Sequence, residues 1–164
     1  MPHLLHFTPA PARTPEVGVL LSVLHEARAR TLAHLAERPP DLDRQPAVGH
    51  SAGTLLYHVA AIELDWLYAE VRQEPFPDAV QEWFPHDVRD AAGHLSVVTG
   101  EPLERHLARL AWVRARLDDT FRDMTLPEFR RARRLEAYDV TPEWVLMHLS
   151  LHETHHAGQL ALLP

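Results

Sequence analysis

The chain has no cysteine, no lysine and no asparagine, and Ile62 is its one isoleucine. Without cysteine there is no disulfide, no thiolate metal site and no cysteine nucleophile. Without lysine there is no Schiff-base chemistry and no phosphate-binding P-loop lysine. All sixteen basic residues are arginine, a pattern of GC-rich coding rather than of selection for guanidinium chemistry. They are outnumbered by 23 acidic residues, for a net charge of −7, so the basic surface that nucleic acid requires is missing. No apolar run approaches the roughly 18 residues of a membrane span. Residues 1–10 lack the basic start and apolar run of a signal peptide. The expectation is a cytoplasmic protein with neither membrane nor nucleic acid as partner.

With 164 residues, 46% hydrophobic and 24% charged, the chain suits one globular domain, spanning residues 1–164. Thr14-Pro15-Glu16 reads as a helix start, and Val17, Leu20, Leu21, Leu24, Thr31 and Leu35 form one apolar stripe behind it. A second stripe carries Leu55, Val59, Ile62, Trp66 and Ala69; a third carries Leu103, Leu107, Leu110, Leu117 and Phe121. Thr141-Pro142-Glu143 repeats the first cap. The pattern predicts four helices near residues 15–38, 51–73, 102–124 and 142–162, an all-α four-helix bundle. Residues 74–100 form a long connection with Pro75, Pro77, Trp83, Phe84 and Pro85. It is too apolar for a free linker and is expected to cross over and pack across one end of the bundle. Residues 129–138 read as an irregular excursion, not a sheet core.

Histidine is abundant, with thirteen copies. His3 and His6 are terminal, while His25, His34, His94 and His106 fall singly on predicted surfaces or loops. The fourth helix differs, because its inward stripe (Val145, then 148, 152, 155 or 156, and 159) is occupied largely by histidine. Positions four apart differ by about 40° in azimuth, so His152 and His156 project side by side. Buried imidazoles without partners cost about 1–3 kcal/mol each, and a divalent metal would satisfy them. His58, on the core stripe of the second helix, supplies a third nitrogen. Three histidines leave open coordination positions; the bland alternative is a hydrogen-bonded polar cluster.

Residues 152–156 read HETHH and satisfy the H-E-x-x-H pattern of zinc peptidases. The extended peptidase signature then needs a glycine and a third histidine where Gln159 and Leu162 stand. The other common form needs a glutamate about twenty residues on, whereas eight residues follow His156. No strands are predicted beside this helix, so a metallopeptidase is disfavoured.

The segments LLYHVAAIELDWL and HLSLHETHHAGQLALL resemble the DinB/YfiT-like family, four-helix bundles regarded as metalloenzymes, over nearly the whole chain. Ala157 stands where the family often has arginine. The resemblance implies His58, His152 and His156 as ligands of a divalent transition metal, Zn²⁺ or Ni²⁺. It also implies a homodimer. Some members are transferases or isomerases that use a low-molecular-weight thiol such as bacillithiol, mycothiol or glutathione. The expected function is metal-dependent transfer of such a thiol to a small electrophile; the alternative is a non-enzymatic metal-binding bundle.

Several residues keep two readings. Glu153 is a general base or a salt-bridge partner. His148 lines the pocket or hydrogen-bonds a ligand, and His155 faces helix neighbours or a partner subunit. His50 belongs to the cap of the second helix. The run Arg130 to Arg134 is a solvated charge cluster or an anion site for a carboxylate-bearing thiol. Gly158 suggests close approach by another backbone.

Overall fold

Three of the long helices begin where the caps predict. Ser51 accepts from Thr54 N and Thr141 accepts from Trp144 N. Thr14 occupies the cap position ahead of Pro15, but its hydroxyl donates to the Met124 carbonyl instead. The computed structural model describes residues 4–163; His3 lies outside them. Six α-helices follow in order: α1 (Pro15–Glu37), α2 (Ala52–Asp65), α3 (Val80–Trp83), α4 (Leu103–Arg122), α5 (Leu126–Arg130) and α6 (Pro142–Ala161). A π-helical segment, Trp66–Arg72, continues α2 and ends at Gln73, which takes a left-handed φ of 54°. The fold is all-α apart from a short antiparallel pair, β1 (Arg133–Arg134) and β2 (Asp139–Val140), which pairs Arg133 with Val140. Among the described residues no helix is long and apolar enough to cross a membrane.

The four long helices share one core, in which Val17, Leu24, Leu67, Val113, Phe121, Val145 and Leu146 are fully shielded from solvent. Helix α6 lies against α1 and α2, while α4 lies against α2 and α1. Tyr57 meets Arg109 and Glu63 meets Arg114, so α2 and α4 advance in the same direction. Parallel neighbours require the chain to return the length of a helix, about 30 Å for 20 residues. Residues 74–100 make that return. They pack over the side of α2 and α4 as well as their starts, with Tyr57 Oη donating to His86 O at 2.6 Å and Arg109 Nε to Trp83 O at 2.6 Å. Thr54 Oγ1 accepts from Val98 N at 3.1 Å. This covering explains why twelve of the fourteen α2 residues are buried, where the sequence pattern offered a single stripe.

Two stripes need correction. Ala69 is exposed, because the π turn rotates Leu67, Tyr68, Glu70 and Val71 inward instead. On α6 the buried line is Val145, Leu146, Leu149, Ser150, Glu153, His156 and Leu160. His148 and His152 are half-buried on its flank, Gln159 likewise, and His155 is exposed. The line turns inward at Glu153 because two arginines from other helices meet it there.

Candidate metal centre

Helix α2 presents His58 and α6 presents His152 and His156, and one nitrogen from each lies within 4.8 Å of the others. His152 Nε2 is 3.1 Å from His58 Nε2 and 3.1 Å from His156 Nε2. Four ligands about a tetrahedral ion at 2.0–2.1 Å stand about 3.3 Å apart, so the spacing suits a shared cation. Burial first, and then the neighbouring imidazoles, depress protonation of His58 to about 4 and of His152 to about 3. Burial also lowers His156. At neutral pH all three rings are uncharged, the form that binds metal.

Hydrogen bonding alone cannot satisfy this cluster. His156 Nδ1 lies 2.7 Å from Gln159 Oε1, an acceptor, so Nδ1 carries the proton and Nε2 of the neutral ring is left with a lone pair. If His152 Nε2 donates to that lone pair, it has none in its ring plane for His58. If it accepts from His58, two lone pairs oppose each other across 3.1 Å. One of the two contacts therefore stays unfavourable, and His58 Nδ1 is buried with no partner. A cation at the point where the three nitrogens converge removes the conflict. The residues fit a divalent metal held by nitrogen alone.

Glu153 lies between the two α6 histidines in sequence and faces the other way. Its carboxylate accepts from Arg28 Nε at 2.5 Å and from Arg114 Nη2 at 2.8 Å. Arg28 also donates to Glu63 at 3.0 Å and to Leu110 O at 3.1 Å, and Arg114 donates to Glu63 and to Leu24 O. One residue from each long helix thus enters a buried quartet of two arginines and two glutamates. Burial alone would raise the Glu63 carboxyl, yet Arg114 and Arg28 outweigh it and hold it below the usual carboxylate range. The salt-bridge reading of Glu153 holds, and it has no free oxygen to serve as a base at the triad. The H-E-x-x-H match is two separate clusters read as one motif. Sequence reasoning missed Arg28, Glu63 and Arg114 because each stands on an apolar stripe without a visible partner; their common signal is a charge at a core position of every helix.

The remaining candidates divide. His148 stacks on Trp144 at 4.8 Å, meets Trp66 at a tilt of 36° and 4.5 Å, and its centre is 6.2 Å from that of His152, so it stands between the tryptophans and the triad. His155 touches His156 edge-on at 5.0 Å and is otherwise exposed. His50 precedes the Ser51 cap, near enough for its charge to oppose protonation of His58 and His156. His106, expected on the surface, is 1% exposed and meets Arg109 Nη1 at 3.2 Å, because the 74–100 connection covers that face of α4. Nor is the arginine run simply solvated. Arg130 pairs with Glu143, Arg131 and Arg133 pair with Glu128, and Arg133 is buried against Val71 O. A side chain at Gly158 would meet nothing within 4 Å among the described residues.

No curated protein matches the chain. A family model described as mycothiol-S-transferase matches residues 19–163, a span that takes in the triad, the quartet and all but the first turn of the four long helices. With that coverage and three convergent imidazoles on the expected helices, the chain belongs to the mycothiol-S-transferase family of the DinB/YfiT-like metal-binding superfamily.

Proposed function

We propose that the chain is a metal-dependent thiol S-transferase. The convergence of His58, His152 and His156, which no hydrogen-bonding scheme satisfies, carries the reading, and the family match gives it a chemistry. Helices α1, α2 with its π extension, α4 and α6 are then the four members of a single-domain bundle, and residues 74–100 are its crossover. The three histidines ligate one Zn²⁺ or Ni²⁺ through Nε2. Such an ion lowers the pKa of a coordinated thiol so that it is a nucleophile near neutral pH. The sulfur must come from a cosubstrate, because the chain has no cysteine. It forms a bond to carbon of a small electrophile; the bond to the leaving group breaks, and the leaving group departs with the proton the thiol gave up.

The chain's own residues prepare the site. Gln159 holds His156 in the tautomer that leaves Nε2 free, as outer partners of metal histidines do. The quartet ties α2 to α6 through Glu63 and Glu153, fixing the distance across which His58 faces His152. With three protein ligands, positions remain for thiol and water. A homodimer, as the family resemblance implies, and the cytoplasmic setting expected from the sequence belong to the same reading. The rival is a bundle whose metal only stabilises it.

Metal analysis of the purified protein and of His58→Ala tests the ligands: one ion per chain is expected, and none in the variant. Full stoichiometry in the variant rejects the triad. An assay of mycothiol, bacillithiol and glutathione with 1-chloro-2,4-dinitrobenzene tests the catalysis. If no thiol consumes it faster than metal-stripped protein does, the rival stands.

A further inference from the structure

About two turns before His152, α6 forms the wall of a second feature at Trp144. A cleft of about 540 Å³ is lined by Trp66, Ala132, Tyr138, Asp139, Thr141 and Trp144, with Val140 at its base. This volume lies in the range of pockets that hold drug-sized molecules, and a mostly apolar lining with few polar groups is their usual character. Its two tryptophans, Trp66 and Trp144, are inclined by 31° with centres 5.3 Å apart. Trp66 and Tyr138 are inclined by 28° with centres 6.4 Å apart, and Trp144 and His148 by 10° at 4.8 Å. Trp144 and Tyr138 remain 43% and 45% exposed, so their aromatic surface is available to a ligand. Behind the wall, Glu70 is 6% exposed and accepts from Tyr138 Oη at 2.9 Å, which holds that ring in place.

We propose that this cleft binds the electrophile, and that it selects a planar, apolar molecule without negative charge. The inference rests on the transferase reading for the role of the ligand, and on the cleft alone for its shape and charge. Position connects the two. His148 stacks with Trp144 and touches Trp66 at a tilt of 36°, and it is the neighbour of His152 at 6.2 Å. Trp144 precedes His152 by eight residues, about 12 Å along the helix. A flat body stacked on the tryptophans therefore extends a reactive end past His148 to the triad. Offset stacking of aromatic rings supplies both affinity and orientation.

Charge sets the second half of the specificity. Asp139 lines the cleft, and the carboxyls of Glu70 and Asp65 stand near Tyr138. Of the adjacent arginines, Arg134 stands opposite Asp139 in the β1–β2 pair, one cation against these three carboxyls, and the other three are engaged elsewhere. Arg130 is engaged by Glu143, and Arg131 and Arg133 by Glu128. An anionic ligand would enter a region of like charge.

Two dyes with one skeleton test this without thiol or turnover: N-phenyl-1-naphthylamine, which is neutral, and 8-anilino-1-naphthalenesulfonate, which is anionic. Titrated into the metal-loaded protein and followed by fluorescence, the neutral dye is expected to saturate and to bind roughly tenfold tighter than the anion. Trp144→Ala, at an exposed position whose backbone amide keeps the Thr141 cap, should weaken the neutral dye roughly tenfold. Ala132→Trp, which fills the cleft without removing a ring, should do the same. Trp112→Phe, away from the cleft, should bind as the wild type does. Equal affinity for both dyes, or unchanged neutral-dye binding in both Trp144→Ala and Ala132→Trp, overturns the proposal. If the dye behaves as expected while no thiol is turned over, the transferase reading fails and the cleft stands. If a thiol is turned over while neither variant alters neutral-dye binding, the cleft proposal fails and the transferase reading stands.

Discussion

Residues 152–156 of α6 serve two polar clusters buried in one helical core, and the two obey opposite rules. The quartet of Arg28, Glu63, Arg114 and Glu153 balances its charges and fills its hydrogen bonds from within the chain. The triad of His58, His152 and His156 holds no charge at neutral pH and leaves one nitrogen contact unsatisfied. A saturated cluster holds helices together; an unsaturated one is of the kind that a cation would complete. Removing one member should therefore have different consequences in each.

The largest stability effect is expected from Glu63→Ala. Both arginines depend on that carboxylate, and breaking a buried ion pair costs roughly 3–5 kcal/mol. Thermal denaturation should show a melting temperature lowered by on the order of 10 °C. In metal-free protein, His58→Ala should cost under about 2 kcal/mol, since it also removes a frustrated contact. The same variant should lose all stabilisation by added Zn²⁺. If the two variants melt alike without metal, the contrast between the clusters is wrong.

A finer prediction concerns Gln159→Leu. It removes the acceptor that fixes the His156 tautomer, so metal affinity should fall about 10–100-fold by competition with a chelating indicator. Helix content should not change. Unchanged affinity would separate Gln159 from the site.

Acid should separate the clusters in order. Unfolded histidine takes up protons near 6.5, whereas folded His58 and His152 do so only at about 4 and about 3. Below 6.5 the unfolded chain binds more protons, so stability present above that pH is lost as pH falls through those values. The Glu63 carboxyl is lowered in the folded state, so its contribution is present above the ordinary carboxylate range and is lost only in stronger acid. Melting curves in EDTA should therefore fall from about pH 6.5 downward, and His58→Leu should flatten the first part of the fall. A wild-type curve level down to pH 4 would contradict the buried neutral triad. The smallest effect belongs to His155→Ala: an exposed residue beside the triad, it should leave metal stoichiometry unchanged and stability within about 0.5 kcal/mol.

Much of this was legible in the sequence because helix periodicity and caps are local. The starts at Pro15 and Pro142 were set by threonine-proline pairs, and His58, His152 and His156 stood out as polar residues on apolar stripes. The i, i+4 spacing placed two nitrogens together, the core stripe of the second helix offered His58 as the third, and the family resemblance implied the same set. The buried stripe on α6 lies about one position from where periodicity puts it: Glu153 is at its centre, and His148 and His152 are at its margin. Charge at a core position looks like surface until its partners are known, and those of Glu153 lie 125 and 39 residues away in Arg28 and Arg114.

By itself, then, the sequence determined that this protein is helical and cysteine-free, and that its candidate ligands on the inward stripes are imidazoles, because composition and helical spacing depend on near neighbours alone. Only the tertiary structure decided which half of H-E-x-x-H faces the triad and which the quartet. It also brought Trp66 on the π-helical segment against Trp144 and His148 on α6, and buried His106 beneath the returning connection. Those outcomes depend on the rotation of one helix against another, which is set by the packing of all four long helices and by long-range ion pairs.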